Sequence, residues 1–518
     1  MAWLVATFAS IILAAEPDFA PCLDETLTPG CPGTIQWDGG AATTAWATST
    51  NWSTDVVPGT SDDVCIPELG AGVEVVHSAG TDAVNSIAGA GGLQVSGGTL
   101  STAVDSPGIG QLVLSGGTLA LTGTLPVAGG FSWTGGTLTG SGSTTVSGGS
   151  LTSGTFKDLT GGRILQTSGT TVWSGTGSIR LDGGSSLQNA GTWDNQGNAV
   201  LLDLGTGGGF ANPAGSTFRK SAGGATTSIQ VPFTNGGTVA VENGTLSLEA
   251  GGTAAGAFTG TAGTTLRFGG GTHGLGSASS VSAATVAVAA GSVTVDGTYA
   301  ATATTVSAGT LTFNPAATVS GIGALSVSNT GTVTLNSGEA IAPPTLSFTN
   351  GTIGGTDPIS VSGAFTWSGG GLSGNAAVTA PMGIAISSGT FKELTGGRTL
   401  STGGTTTWAG TGSIRLGSGG SIQNGGIWDI QGNATMVLLT GGGGFTNPVT
   451  RTLRKSAGGG LTTFDVAVTN EGSVSVESGT LSLDAGSTST GSFTGGPGTT
   501  LRFGGGTHGL GNASSVSA

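Results

Sequence analysis

Six residues recur along this chain in the order apolar-x-x-Gly-Thr/Ser-apolar, and their spacing constrains the fold more than any other feature. The clearest copies are Val95-Ser-Gly-Gly-Thr-Leu100, Leu114-Ser-Gly-Gly-Thr-Leu119 and Trp133-Thr-Gly-Gly-Thr-Leu138. Others run from Val146 to Leu151, Val241 to Leu246, Val288 to Val293, Val306 to Leu311, Phe348 to Ile353 and Val476 to Leu481. Where the spacing is cleanest, successive copies fall 18 or 19 residues apart. Glycine turns a corner at φ > 0 without a Cβ clash, so each copy reads as a strand, a tight bend and a strand, with apolar side chains pointing inward on both sides. A short repeated unit cannot bury its apolar face alone and must stack on its neighbours. The pattern therefore predicts an all-β chain, a parallel β-solenoid (β-helix) built from rungs of about 19 residues. Antiparallel sandwiches use similar turns, but their Cys and Trp spacing is missing. At the spacing of strands in a sheet, about two dozen rungs make a rod on the order of 100 Å long.

A second repeat contains the first. Phe156-Lys157 matches Phe391-Lys392, Arg180 matches Arg415, Trp193 matches Trp428 and His273 matches His508, each 235 positions apart. The organisation expected is a cap and first rungs over residues 37–90, then solenoid over 91–283 with the first long copy from about 131. The solenoid continues over 284–518, with the second copy from about 365, and ends as if cut in mid-array. Around 254–285 and 435–465 the spacing loosens, which suggests longer loops or wider rungs.

Composition agrees with a β-rich rod. Only 8% of residues are charged, against about 25% in ordinary soluble domains, so charged helical surfaces are excluded. The 104 glycines and 17 prolines raise the alternative of disorder, but Val, Leu and Ile alternate in short runs throughout, as disordered chains do not. A net charge of -14 repels phosphate backbones and anionic lipids, which excludes nucleic acid as a partner.

Residues 1–15 read as a signal peptide, apolar from Ala2 and ending in small residues, although the n-region lacks Lys and Arg. Its apolar run is too short to span a bilayer, and no membrane span is expected in the mature chain. Residues 16–36 read as a linker holding Cys22 and Cys31, which fit a small disulfide loop in an oxidising compartment. Cys65 is then the odd cysteine, read as a buried apolar filler beside Val64 and Ile66. The localisation expected is secreted, at the cell surface.

The segment Trp37-Asp-Gly-Gly, Trp46, Asn51-Trp52-Ser53, Pro58, Asp62-Asp63-Val64 and Ile66-Pro67 is richer in Trp, Asp and Pro than the rungs beyond it. It reads as an N-terminal cap over the open end of the solenoid, with its first strand at Asp63 to Ile66. This cap, leading into Gly-, Ser- and Thr-rich rungs, resembles the opening of large bacterial surface β-solenoid proteins, the autotransporter-passenger and haemagglutinin-like adhesins. Its Trp-x-Asn-Trp-Ser and Asp-Asp-Val-x-Ile-Pro spacing is also similar to the start of the G8 domain. The resemblance implies an extracellular stalk or adhesin whose partners are glycans or surface proteins, with lateral self-association of the rods. It names no ligand.

Parallel β-helices also carry polysaccharide lyases and hydrolases, so a polysaccharide-active enzyme is the rival reading. Such enzymes need carboxylates and basic groups clustered on one face. The candidates are Glu242 with Glu249, Glu477 with Asp484, and Arg180, Arg219, Lys220 and Arg267; they read as isolated solvated charges, and no catalytic residue is assigned. His273 and His508 lie in identical Gly-rich stretches and read as turn histidines, without a second ligand for a metal. Asp62 and Asp63 read as hydrogen-bonding groups of the cap. No cofactor is expected. The suggestive set is Trp133, Trp173 and Trp193, echoed by Trp367, Trp408 and Trp428, since exposed flat indoles stack on sugar rings, although Trp133 holds the apolar position of a hexad, where burial is expected; the glycan contacts named are Trp173, Trp193, Trp408 and Trp428. Thr137-Leu-Thr139 has the two-residue spacing of ice-binding ladders, but the rungs vary too much in length for a flat array.

Overall fold

The computed structural model describes residues 34–517 except Gly207. The expected signal peptide, most of the linker, Cys22 and Cys31 lie outside the described residues. The described chain is a parallel β-solenoid of about 22 turns with about 21 residues per turn, and only 1% of it is helical. Turns are longer than the hexads suggest because a hexad spans one corner, while the other corners carry loops of varying length.

Each regular turn contributes three short strands, one per face. Gln111–Leu114, Thr118–Leu121 and Leu125–Val127 make one turn; Phe131–Trp133, Gly136–Thr139 and Ser143–Val146 stack in parallel on them. Alternation along each strand sends every second residue inward. On the second face Leu100, Leu119, Leu138, Leu159 and Leu181 stand in register as one column, each fully buried. A leucine so buried contributes roughly 1.5–3 kcal/mol relative to exposure. The hexad corners are as the sequence predicts: Gly98 and Gly117 take φ of +66° and +61°. A Cβ on Gly98 would lie 2.3 Å from the Gly80 carbonyl oxygen of the turn below, so these corners demand glycine twice over.

The stretches where the spacing loosens are continuous solenoid. Ser280–Val288 and Thr298–Val306 are nine-residue strands that round the corner between the first and second faces without a break. The first face is then interrupted after Thr318–Gly321 and resumes at Ile359–Ser360 as a separate eight-stranded sheet. Carboxylates patch the gap: Glu339 accepts from the Val319 amide at 2.7 Å, and buried Asp357 accepts from the Ser337 and Gly338 amides.

The two long copies do not face the same way. Tracing strand neighbours, Thr170–Trp173 belongs to the first face, Ile179–Leu181 to the second and Ser186–Asn189 to the third. Their counterparts Thr405–Trp408, Ile414–Gly417 and Ser421–Asn424 fall on the second, third and resumed first faces. The long repeat spans eleven turns and one strand, so the second copy is rotated by one face about the axis.

The cap begins earlier than expected. Ile35–Gln36 pairs in parallel with Val64 and Cys65 of the strand Asp63–Cys65. Trp37, Trp46 and Trp52 pack edge to face beneath it, with centroids 4.9 and 4.8 Å apart. Asn51 is buried and donates to Thr43 Oγ1 and the Ala45 carbonyl. Asp63 accepts from Asn85 and Ser86, and Asp62 from the Gly59 amide. Cys65 is buried but disulfide-bonded, which corrects its reading as an unpaired filler.

Candidate functional site

The indoles expected at the surface are core residues. Trp173, Trp193, Trp408 and Trp428 are all at most 1% exposed, which corrects their reading as glycan contacts. They occupy inward positions of their strands, and Trp193 packs edge to face on Trp173 and Phe210 within the bore. His273 is likewise no turn residue; it lies in the strand Thr272–Leu275, buried against Phe268, with Nε2 2.9 Å from the Gly270 carbonyl oxygen.

The acidic pairs are not brought together. Glu242 and Glu249 stand at opposite ends of Thr245–Leu248, as Glu477 and Asp484 flank Thr480–Leu483. Glu249 is bound to Arg267 at 2.6 Å. The most buried repeated carboxylate is one that sequence reading missed: Asp194, matched by Asp429. Burial pushes the Asp194 carboxyl up, but hydrogen bonds from Arg219, Ser221 and Gln196 outweigh it and leave the group below the ordinary carboxylate value. Asp429 is held down in the same way by Arg454, Ser456 and Gln431. These are clamped structural anions, unlike the general acid of a glycosidase, whose pKa must rise. Among the described residues no three His, Cys, Asp or Glu side chains group as a metal site.

Lys220, read from sequence as a solvated charge, is fully buried. So are Lys157, Lys392 and Lys455, which together are all the lysines of the chain. The Lys220 ammonium donates to the Gly197 and Ala222 carbonyls and Asn198 Oδ1 at 2.9, 3.0 and 3.2 Å, and Lys455 repeats the cage on Gly432, Ala457 and Asn433. Desolvation lowers Lys220 and Lys392 to about 8. Arg163 is buried too, stapling the two preceding turns through Thr144, Leu121, Gly123, Ser141 and Ser143. We expect amine-reactive reagents to spare all four lysines of the native protein and to label them after denaturation, as counted by peptide mass. Rapid native labelling of Lys220 would contradict the burial.

Asparagines also run inside. Asn189 donates to Asn212 and Asn212 to Asn235, both at 2.8 Å, on the third face; Asn424, Asn447 and Asn470 repeat this on the resumed first face. The signal available was an Asn every 23 residues at a strand end, next to a Gly or Pro corner.

What repeats at the surface is a three-residue station. Phe156 and Phe391 are 54% and 52% exposed, the large aromatic side chains left open in each copy. The Arg180 guanidinium stacks over the Phe156 ring at 4.2 Å and pairs with Asp158 through both oxygens. In the second copy Arg415 stacks over Phe391 and donates to Glu393 Oε1 at 3.2 Å. The carboxylate and Arg of each station are in-register neighbours on adjacent turns. Because the copies are rotated, the first station faces outward from the second face and the second from the third. No family model matches this chain, and neither curated proteins nor solved structures yield a match.

Proposed function

We propose that this protein is a secreted, cell-surface stalk, an adhesive β-solenoid whose working property is its length. The observation that carries the reading is the unbroken axial stacking of about 22 parallel turns on one continuous core. At the spacing of parallel strands this gives a rod on the order of 100 Å. Two further features suit an extracellular life. Cys65 carries a disulfide, the mark of an oxidising compartment. The surface offers no lysine, and Arg180, Arg219, Arg267, Arg415 and Arg454 are each held in an ion pair, which leaves proteases that cut after basic residues few targets. No helix of the described residues is long and apolar enough to cross a membrane.

Small-angle scattering on the purified chain tests this. A maximum dimension on the order of 100 Å with a rod-like cross-section is expected; a compact particle would sink the stalk.

A further inference from the structure

The two surface stations differ in two respects that a purely structural motif would not need. In the first copy Thr118, Thr137, Asp158 and Arg180 stand in register along the axis; in the second the row is Thr352, Gly371, Glu393 and Arg415. Glycine at position 371 removes the side chain that Thr137 supplies, and a groove of about 530 Å³ opens beside it, lined by Asn350, Thr352, Thr390, Phe391 and Glu393 over a glycine floor. That volume is within the range of about 300–1,000 Å³ of small-molecule sites. The carboxylates differ as well. Asp158 has both oxygens tied to Arg180, whereas Arg415 takes only Oε1 of Glu393. A carboxylate has about four acceptor positions, so Glu393 keeps capacity for further donors.

The geometry points to a carbohydrate site at this groove, binding one or two rings of an uncharged glycan against Phe391. A sugar ring offers C–H groups to an aromatic face and hydroxyl donors to a carboxylate, and the groove supplies the exposed Phe391 ring and Glu393 together. Asn350, Thr352 and Thr390 add the amide and hydroxyl partners that read hydroxyl positions. The cation nearby, Arg415, is already stacked on Phe391 and paired with Glu393, so nothing in the lining compensates an acidic sugar. With Glu393 in the wall and a net charge of -14 on the chain, uronic and sialic acids are repelled. The first station, filled by Thr137 and locked by its bidentate ion pair, is the closed counterpart. This assignment rests on the adhesive reading and gives it a ligand class.

The experiment is a glycan array and then calorimetric titration of the full chain with neutral and acidic oligosaccharides. Neutral glycans should bind and acidic ones should not. Gly371→Thr installs the residue native to the first copy; its φ is not left-handed, and a Cβ there first meets Glu393 Cβ at an ordinary 3.8 Å, so the fold should be unaffected. It should weaken binding by at least about tenfold with an unchanged circular dichroism spectrum and melting curve, as should Phe391→Ala, while Phe156→Ala should bind as the parent does. Parent-like binding by Gly371→Thr and Phe391→Ala, preference for acidic sugars, or no binding of neutral glycans at millimolar concentration would each overturn the site. Scattering on the same samples keeps the two readings separate: a rod that binds no sugar removes the groove and leaves the stalk, and a compact particle removes the stalk.

Discussion

Replacing Trp193 with alanine should destabilise its part of the solenoid by about 3–5 kcal/mol, the cost of emptying an aromatic site in a packed core. Trp193 sits in register with Phe218 and packs on Phe210, which in turn stacks on Phe233 with centroids 5.3 Å apart. Three successive turns from Trp173 to Phe233 thus share one aromatic cluster. In a solenoid each turn touches only its neighbours, so the loss should stay local. Hydrogen exchange should accelerate over residues 170–235 and stay unchanged near residues 298–335. Trp193→Phe separates volume from polarity. The Trp193 indole N–H is buried without a partner, so phenylalanine removes an unsatisfied donor along with a little volume and should cost much less than alanine. A Trp193→Ala chain that exchanged like the parent but lost a glycan ligand would return this indole to the surface.

The same tryptophans show where sequence was sufficient and where it was not. Trp133 lies at the apolar position of a hexad, and burial there comes from alternation alone; Trp173 and Trp193 lie outside any hexad, and their inward direction emerges only once Thr170–Trp173 and Thr192–Asn195 are in register. Hexad corners such as Gly98 and Gly117 were legible because each one fixes φ and flanks it with period-two apolar residues. The rotation of the long copies was not, because it needs the sum of many corner lengths, and single corners differ by several residues. Lysine was misread for a physical reason. Its charge argues for solvent, but a four-carbon stem reaches a corner from an inward position, and two backbone carbonyls with an asparagine side-chain oxygen can hold the Lys220 ammonium there. The stations left a detectable trace in sequence: Arg180 comes after Asp158, and Arg415 after Glu393, by 22 residues, one turn of the coil.

Raising the pH from about 7.5 to 10.5 should stabilise this protein, where most lysine-bearing proteins gain nothing. Proton counts in the two states set the direction. An unfolded lysine titrates at its ordinary value of 10.5, and Lys220 and Lys392 in the folded chain titrate at about 8 because burial disfavours the ammonium. Between those two values the unfolded state holds more protons than the folded one, so stability rises with pH through this window. The gain approaches roughly 3 kcal/mol for each of the two lysines when the window has been crossed. The buried phenol of Tyr299 is pushed above this window. Urea midpoints at the two pH values measure the effect, and Lys220→Met with Lys392→Met should reduce it, Lys157 and Lys455, which burial also lowers, keeping a share. The variant should also be weaker at the lower pH, since the Ala222 and Thr390 carbonyls lose their donor. A midpoint that falls as pH rises in the parent would mean that the carbonyl cages hold the ammonium more tightly than water does, and that these lysines are internal cations locked in their charged form.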